Sequence, residues 1–219
     1  MTDHPRPAAE SDGPERFRLL YVCTGNICRS PFAEILMRHL LIERLGSSAA
    51  AAFAVSSAGV RAVAGGKMHP QVRDQLPPRG PAHSLADRFV ARQLTAGMIE
   101  HADLVLGVEP AHRSAAVQCT PAILSTAFSL REFARLAASV AQDELPSAPM
   151  ARAHTLVEQA NQLRGLLPPL PSDAYRVPDP IGGRVDAYRY AAALVADAVS
   201  IIVEVLAPVV GESVRGGRS

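Results

Sequence analysis

Short apolar runs alternate with longer stretches of helical spacing along most of the chain. Residues 16–22 (RFRLLYV) form a near-continuous apolar run ending in CTGN and read as a buried strand. A helix is expected at once behind it. Ser30 suits an N-cap, Pro31 suits the first helical position, and Phe32, Ile35, Leu36, Leu40 and Leu45 follow a helical period up to a stop at Gly46. Residues 51–59 (AAFAVSSAG) predict a second strand, and 103–108 (DLVLGV) a third. TAFSL at 126–130 is a weaker fourth, running into the helical REFARLAA. Between the second and third strands, helices are expected around His69–Leu76 and over 91–102 (ARQLTAGMIEHA). Another begins near Ala111, and a last one covers about Val185–Leu206.

Strands alternating with helices define an α/β fold: a doubly wound three-layer sandwich around a small, about four-stranded parallel sheet. Residues 1–15 and 209–219 are polar, carry no apolar period and read as flexible tails around one domain at 16–208. Within it, about 141–178 loosens into proline-bearing segments around one helical stretch, ARAHTLVEQANQLRG, and reads as an insertion. The apolar text near the C-terminus is interrupted by Asp197 and Glu204, which argues for a buried helix rather than a membrane span.

Ligands of open parallel sheets bind where strand C-termini meet helix N-termini. The segment from Val22 to Pro31 (VCTGNICRSP) lies there, a phosphate-binding loop after the first strand. Gly25 and Asn26 are residue types that readily take positive φ, so the N–H groups of Thr24, Gly25, Asn26, Ile27 and Cys28 can turn inward as an oxyanion nest. The helix N-terminus adds its dipole, and Arg29 a planar fork for two oxygens. Cys23 at the base of this field is the candidate nucleophile, its thiolate stabilised by it.

Charge agrees with a local site. With 22 basic and 21 acidic residues among 219, the net charge is +1, which offers no basic field for nucleic acid or an anionic membrane. The three cysteines, Cys23, Cys28 and Cys119, are too few for a disulfide scaffold, and without a secretory signal they point to the cytoplasm. Cys119 reads as a structural thiol near a helix end. The histidines at 69, 83, 101 and 112 have no metal-ligand spacing and suit solvated or capping roles; no metal and no cofactor are expected.

VCTGNICRSP, Ser57-Ala58-Gly59 and Asp179-Pro180 together resemble the low-molecular-weight protein tyrosine phosphatase family. The arsenate reductases of the same fold share the loop. The resemblance implies metal-free hydrolysis of a phosphomonoester through a phosphocysteine on Cys23, with Arg29 binding the phosphoryl group and Asp179 acting as general acid, then base. The substrate it implies is a phosphotyrosine-bearing protein or a small aryl phosphoester, with inorganic phosphate as product. Ser30 would support the sulfur by a hydrogen bond besides capping the helix, and Ser57 would hold Asn26. Cys28 is either a redox partner able to form a disulfide with Cys23 or a packing residue. Phe89 stands where many members carry a histidine in the network around Asn26, and the cleft lacks their aromatic walls. A thioredoxin-coupled reductase would need a further cysteine pair, so the rival reductase would use an external thiol. A non-catalytic oxyanion-binding interaction protein is the remaining alternative.

Overall fold

The computed structural model describes residues 15–168 and 170–208, so the expected tails at 1–14 and 209–219 lie outside the described residues. Four parallel strands form one sheet in the order β2-β1-β3-β4: β1 (Phe17–Cys23), β2 (Phe53–Gly59), β3 (Leu104–Gly107) and β4 (Ala127–Ser129). The chain leaves β1 for β2 on one side and returns for β3 on the other. The loop after β1 therefore sits at the point where the winding reverses, at the carboxyl ends of the strands.

Helices cover both faces. Leu19 and Tyr21 of β1 join the larger core with α1 (Arg29–Ala50), α6 (Leu130–Ala138), α7 (Pro149–Leu163) and α8 (Val185–Leu206). Leu20 and Val22 point the other way, into a smaller core with Ile99 of α4 (Ala96–Glu100) and Ala116 of α5 (Pro110–Cys119). Burial on both faces explains why β1 is written as a continuous apolar run rather than an alternating one. Two short helices, α2 (Pro70–Arg73) and α3 (Ala82–Arg88), fill the β2–β3 crossover. Among the described residues, no helix is long and apolar enough to cross a membrane.

Three local expectations are corrected. Helix α1 starts at Arg29 with Cys28 as its N-cap residue, so Ser30 lies inside the first turn and spends its hydroxyl elsewhere. Gly46 takes φ 74° and kinks α1, and one further turn follows to Ala50. The helix expected over 91–102 shrinks to α4, because Thr95 caps it by accepting from Met98 N–H while residues 92–94 run extended beside Gly59.

Arg152 of α7 is buried without a carboxylate partner among the described residues. Its guanidinium donates to the carbonyl of Val205 in the last turn of α8 and to the carbonyls of Leu145 and Pro146. One side chain thus caps a helix end and pins the preceding turn. Arg152→Met is expected to lower the unfolding free energy by about 2–3 kcal/mol, since it strands several carbonyls. Urea denaturation checks this, and an unchanged midpoint would mean that water replaces the guanidinium at no cost.

Candidate active site

The loop's carbonyls are spent on the chain that follows β2. Cys23, Thr24, Gly25 and Ile27 accept from the N–H groups of Val60, Arg61, Val63 and His69 at 2.8–3.0 Å. In contrast, no backbone N–H from Gly25 to Arg29 has a protein acceptor among the described residues. Carbonyls tied outward and amides left open make an oxyanion nest. Of the two residues expected at positive φ, only Asn26 takes it (φ 53°). Gly25 stays outside that region. Gly59 has a different reason to be glycine: a Cβ there would stand 2.6 Å from the Thr24 carbonyl oxygen and 3.0 Å from Asn26 N. The Ser-Ala-Gly signature therefore ends where the phosphate loop rests on β2.

Asn26, itself fully buried, is held at its positive φ by side-chain bonds. Its Nδ2 donates to Ser57 Oγ (2.8 Å) and Ser30 Oγ (2.9 Å), and its Oδ1 accepts from Arg92 N–H (2.9 Å). Ser57 passes its own proton to Glu34 Oε2 at 2.7 Å. Burial pushes the Glu34 carboxyl above its usual range, while the Ser57 hydrogen bond and Arg92 oppose the shift. Ser30 links this network to the sulfur. Its oxygen accepts from Asn26 and stands 2.9 Å from Cys23 Sγ, where the hydroxyl is placed to donate to a thiolate. Ser30 and Ser57 thus lie in one chain running from Glu34 to Cys23. Phe89 is buried beside this region and takes no polar part; Ser57, backed by Glu34, together with Ser30 and the Arg92 amide hold the asparagine in this chain.

Arg29 is 4% exposed and lies under the loop. Glu109 Oε2 (2.9 Å) and the Val177 carbonyl (3.0 Å) hold Nη1, and Asp179 Oδ2 takes Nη2 at 2.6 Å. Its Nε is buried with no partner, a donor awaiting an acceptor. Cys23, Thr24, Gly25, Ile27, Cys28, Arg29 and Asp179 line one cleft of about 240 Å³, whose outer walls are Arg61, Val63 and Ile181. Cys23 and Cys28 are both buried free thiols, and Cys119 is exposed at the end of α5. Burial, then the neighbouring Cys23 and Asp179, push the Cys28 thiol up to about 12 against the pull of Arg29. Cys28 is therefore a protonated thiol at neutral pH. No group of three or more His, Cys, Asp or Glu suited to a metal occurs among the described residues.

His112, expected in a solvated or capping role, caps α5 and also braces the loop. Glu109 N–H donates to its Nδ1 (3.1 Å), so Nε2 carries the ring proton and faces Thr24 Oγ1 at 3.0 Å. Burial, with Arg29 nearby, drops its pKa to about 4 despite Asp179. Between pH 4 and 6.5 an unfolded chain binds a proton at this residue that the native protein refuses. Stability should therefore fall as pH drops through that window, by up to about 3 kcal/mol from this residue. Urea unfolding at pH 7 and pH 4.5 should reveal a smaller loss in His112→Gln than in wild type. Equal losses would refute the assignment.

Glu34, Glu109, His112 and Arg92 were not singled out for this site from sequence. One signal existed: Glu34 stands alone among Phe32, Ile35 and Leu36 on the buried stripe of α1.

A parallel α/β sheet whose switch point carries an open amide nest, a buried guanidinium and a thiol has the features of an oxyanion site. Residues 18–147 match the profile of the low molecular weight phosphotyrosine protein phosphatases, and the chain belongs to that family. A probable low molecular weight protein-tyrosine-phosphatase, AmsI of Erwinia amylovora, is 36% identical over 105 residues, covering 48% of this chain and 65% of AmsI. A protein-arginine-phosphatase of Bacillus subtilis is 34% identical over 115 residues, covering 52% and 71%. Among solved structures, a YwlE arginine phosphatase with serine in place of its cysteine has a TM-score of 0.57 at 24% identity, over 85% of this chain and 93% of that one, a likeness of fold. Asp179 lies beyond the residues that the family profile covers.

Proposed function

We propose that this protein hydrolyses phosphomonoesters, aryl esters such as phosphotyrosine first, through a covalent phosphocysteine on Cys23. The observation that carries this reading is the buried hydrogen-bond chain that reaches Cys23 Sγ beneath open loop amides. The phosphoryl oxygens would take the nest and the Arg29 fork, including the unpartnered Nε. Asp179 Oδ2 accepts from Arg29 Nη2 at 2.6 Å. A phosphate dianion competes for the same guanidinium and displaces the carboxylate towards the leaving oxygen. The displaced carboxylate takes the proton of the Cys23 thiol, the resulting thiolate attacks phosphorus, the P–O bond breaks, and Asp179 gives that proton to the departing phenoxide. In the second step Asp179 takes a proton from water as the water oxygen attacks phosphorus and the S–P bond breaks. The Ser30 hydroxyl, aimed at Sγ, stabilises the departing thiolate. Inorganic phosphate leaves, and Asp179 is protonated again. No metal is needed, since the amides and Arg29 carry the charge.

Relatives named for tyrosine and for arginine phosphatase activity both match. The cleft walls favour the aryl ester: Ile27, Val63 and Ile181 offer aliphatic contact to a ring, and Arg61 at the mouth repels the guanidinium of a phosphoarginine. Metal-free hydrolysis of p-nitrophenyl phosphate and a phosphotyrosine peptide is expected to exceed that of a phosphoarginine peptide by at least about tenfold, a difference of 1.4 kcal/mol. The reverse order would reassign the substrate. Inertness towards all three with reduction of arsenate by a thiol donor would replace hydrolase with reductase, and inertness throughout would leave an oxyanion-binding module.

A further inference from the structure

The largest hollow among the described cavities lies along the outer edge of β2, away from the Cys23 cleft, with a volume of about 700 Å³. Arg16, Arg18, Arg38, Arg88 and Arg92 line it, with Glu34 the single carboxylate among its lining residues. Glu34 is already paired with Arg38 at 3.5 Å and with Ser57. The guanidinium groups of Arg16, Arg18 and Arg88 have no carboxylate partner among the described residues.

The backbone in this hollow is also unspent. In a parallel strand alternate residues address opposite neighbours. Gly59 turns its N–H and C=O outward, to Arg92 and Leu94. Ser57 and Val55 share that parity. The Ser57 carbonyl accepts from Arg92 Nε at 2.8 Å, but the Ser57 N–H and both polar groups of Val55 have no partner among the described residues. Residues 92–94 thus begin an added strand beside the end of β2 and leave its first half open. The opposite edge is closed: Arg113 and Arg164 both donate to the Ala127 carbonyl of β4. Phe53, Phe89 and Met98 supply apolar contact on the hollow's walls.

We propose that this groove binds an extended acidic segment of a partner protein, which adds as a strand to the open edge of β2. The occupant follows from the two features together. Open strand amides and carbonyls select an extended backbone, and unpaired guanidinium groups select carboxylates at the side chains. The proposal is independent of the phosphatase reading, because none of the three unpaired arginines touches the Cys23 cleft.

The test is calorimetric titration of the full chain with an octapeptide alternating glutamate and valine. Wild type should bind it, more weakly as salt rises. The double variant Arg18→Glu with Arg88→Glu should bind at least about tenfold more weakly, while its far-ultraviolet circular dichroism and melting stay those of wild type. The same peptide N-methylated at alternate amides should also lose at least about tenfold. No binding by wild type, or equal binding by the double variant, would overturn the proposal. Equal binding of the N-methylated peptide would make the groove a plain anion site. Sedimentation of wild type as a dimer that the double variant abolishes would make the occupant a second copy of the chain, and would equally overturn it.

Discussion

Replacing Cys23 by serine is expected to reduce turnover of p-nitrophenyl phosphate by at least about 10⁴-fold, the scale on which loss of a nucleophile is felt. Inorganic phosphate should still bind, within a few-fold of wild type. The two effects separate because different atoms carry them. Attack needs an anionic sulfur, and a serine hydroxyl at the same place is far too weak an acid to supply its oxygen equivalent. Binding rests on the open amides from Gly25 to Arg29 and on the Arg29 fork, which the substitution leaves alone. Isothermal titration with phosphate and a stopped assay on the same preparation read both. Residual turnover within a hundredfold of wild type would hand the attack to water and reduce Cys23 to a phosphate contact.

Asp179→Asn carries the second large effect, and its signature is a slope rather than a single rate. Asparagine can still accept from Arg29 through its carbonyl oxygen, but it has no proton to give. General acid catalysis contributes about 10²–10⁴-fold, and most where the leaving oxygen is most basic. Turnover of alkyl phosphates should therefore fall by about that factor, and p-nitrophenyl phosphate by much less. A series of substituted phenyl phosphates should give a steeper dependence on leaving-group pKa in the variant. Uniform loss across the series would make Asp179 a positioning residue for Arg29, whose guanidinium it touches at 2.6 Å.

The loop was legible because its chemistry is contiguous. Val22 to Pro31 holds the end of β1, the nest, the guanidinium and the first turn of α1 within ten positions, so spacing alone could be read. Strand β1 was equally plain, since a central parallel strand buries both faces. The supporting residues were hidden for the opposite reason. Glu109 and His112 reach Arg29 and Thr24 across 80 and 88 positions, and only the pairing of β3 with β1 brings them there. The Arg92 contribution is a backbone amide, which side-chain identity cannot announce. Its segment was misread because 91–102 has helical composition throughout. The extended start is imposed by pairing with Gly59, a tertiary contact that overrides local preference. Phe89 illustrates the limit of resemblance. The polar support for Asn26 includes a carboxylate on a different helix, which a position-by-position comparison passes over.

Asp179 and Arg29 meet across 150 positions, and that separation gives the site a history. A ribosome delivers Cys23 and the nest well before Asp179. α8, which packs against α1 at the loop's back, comes later still. A chain not yet grown past Val177 thus carries the thiol without Asp179 facing Arg29. On the proposed mechanism, trapping phosphate and releasing it as product are separable events, and the second waits on the segment that brings Asp179 to Arg29.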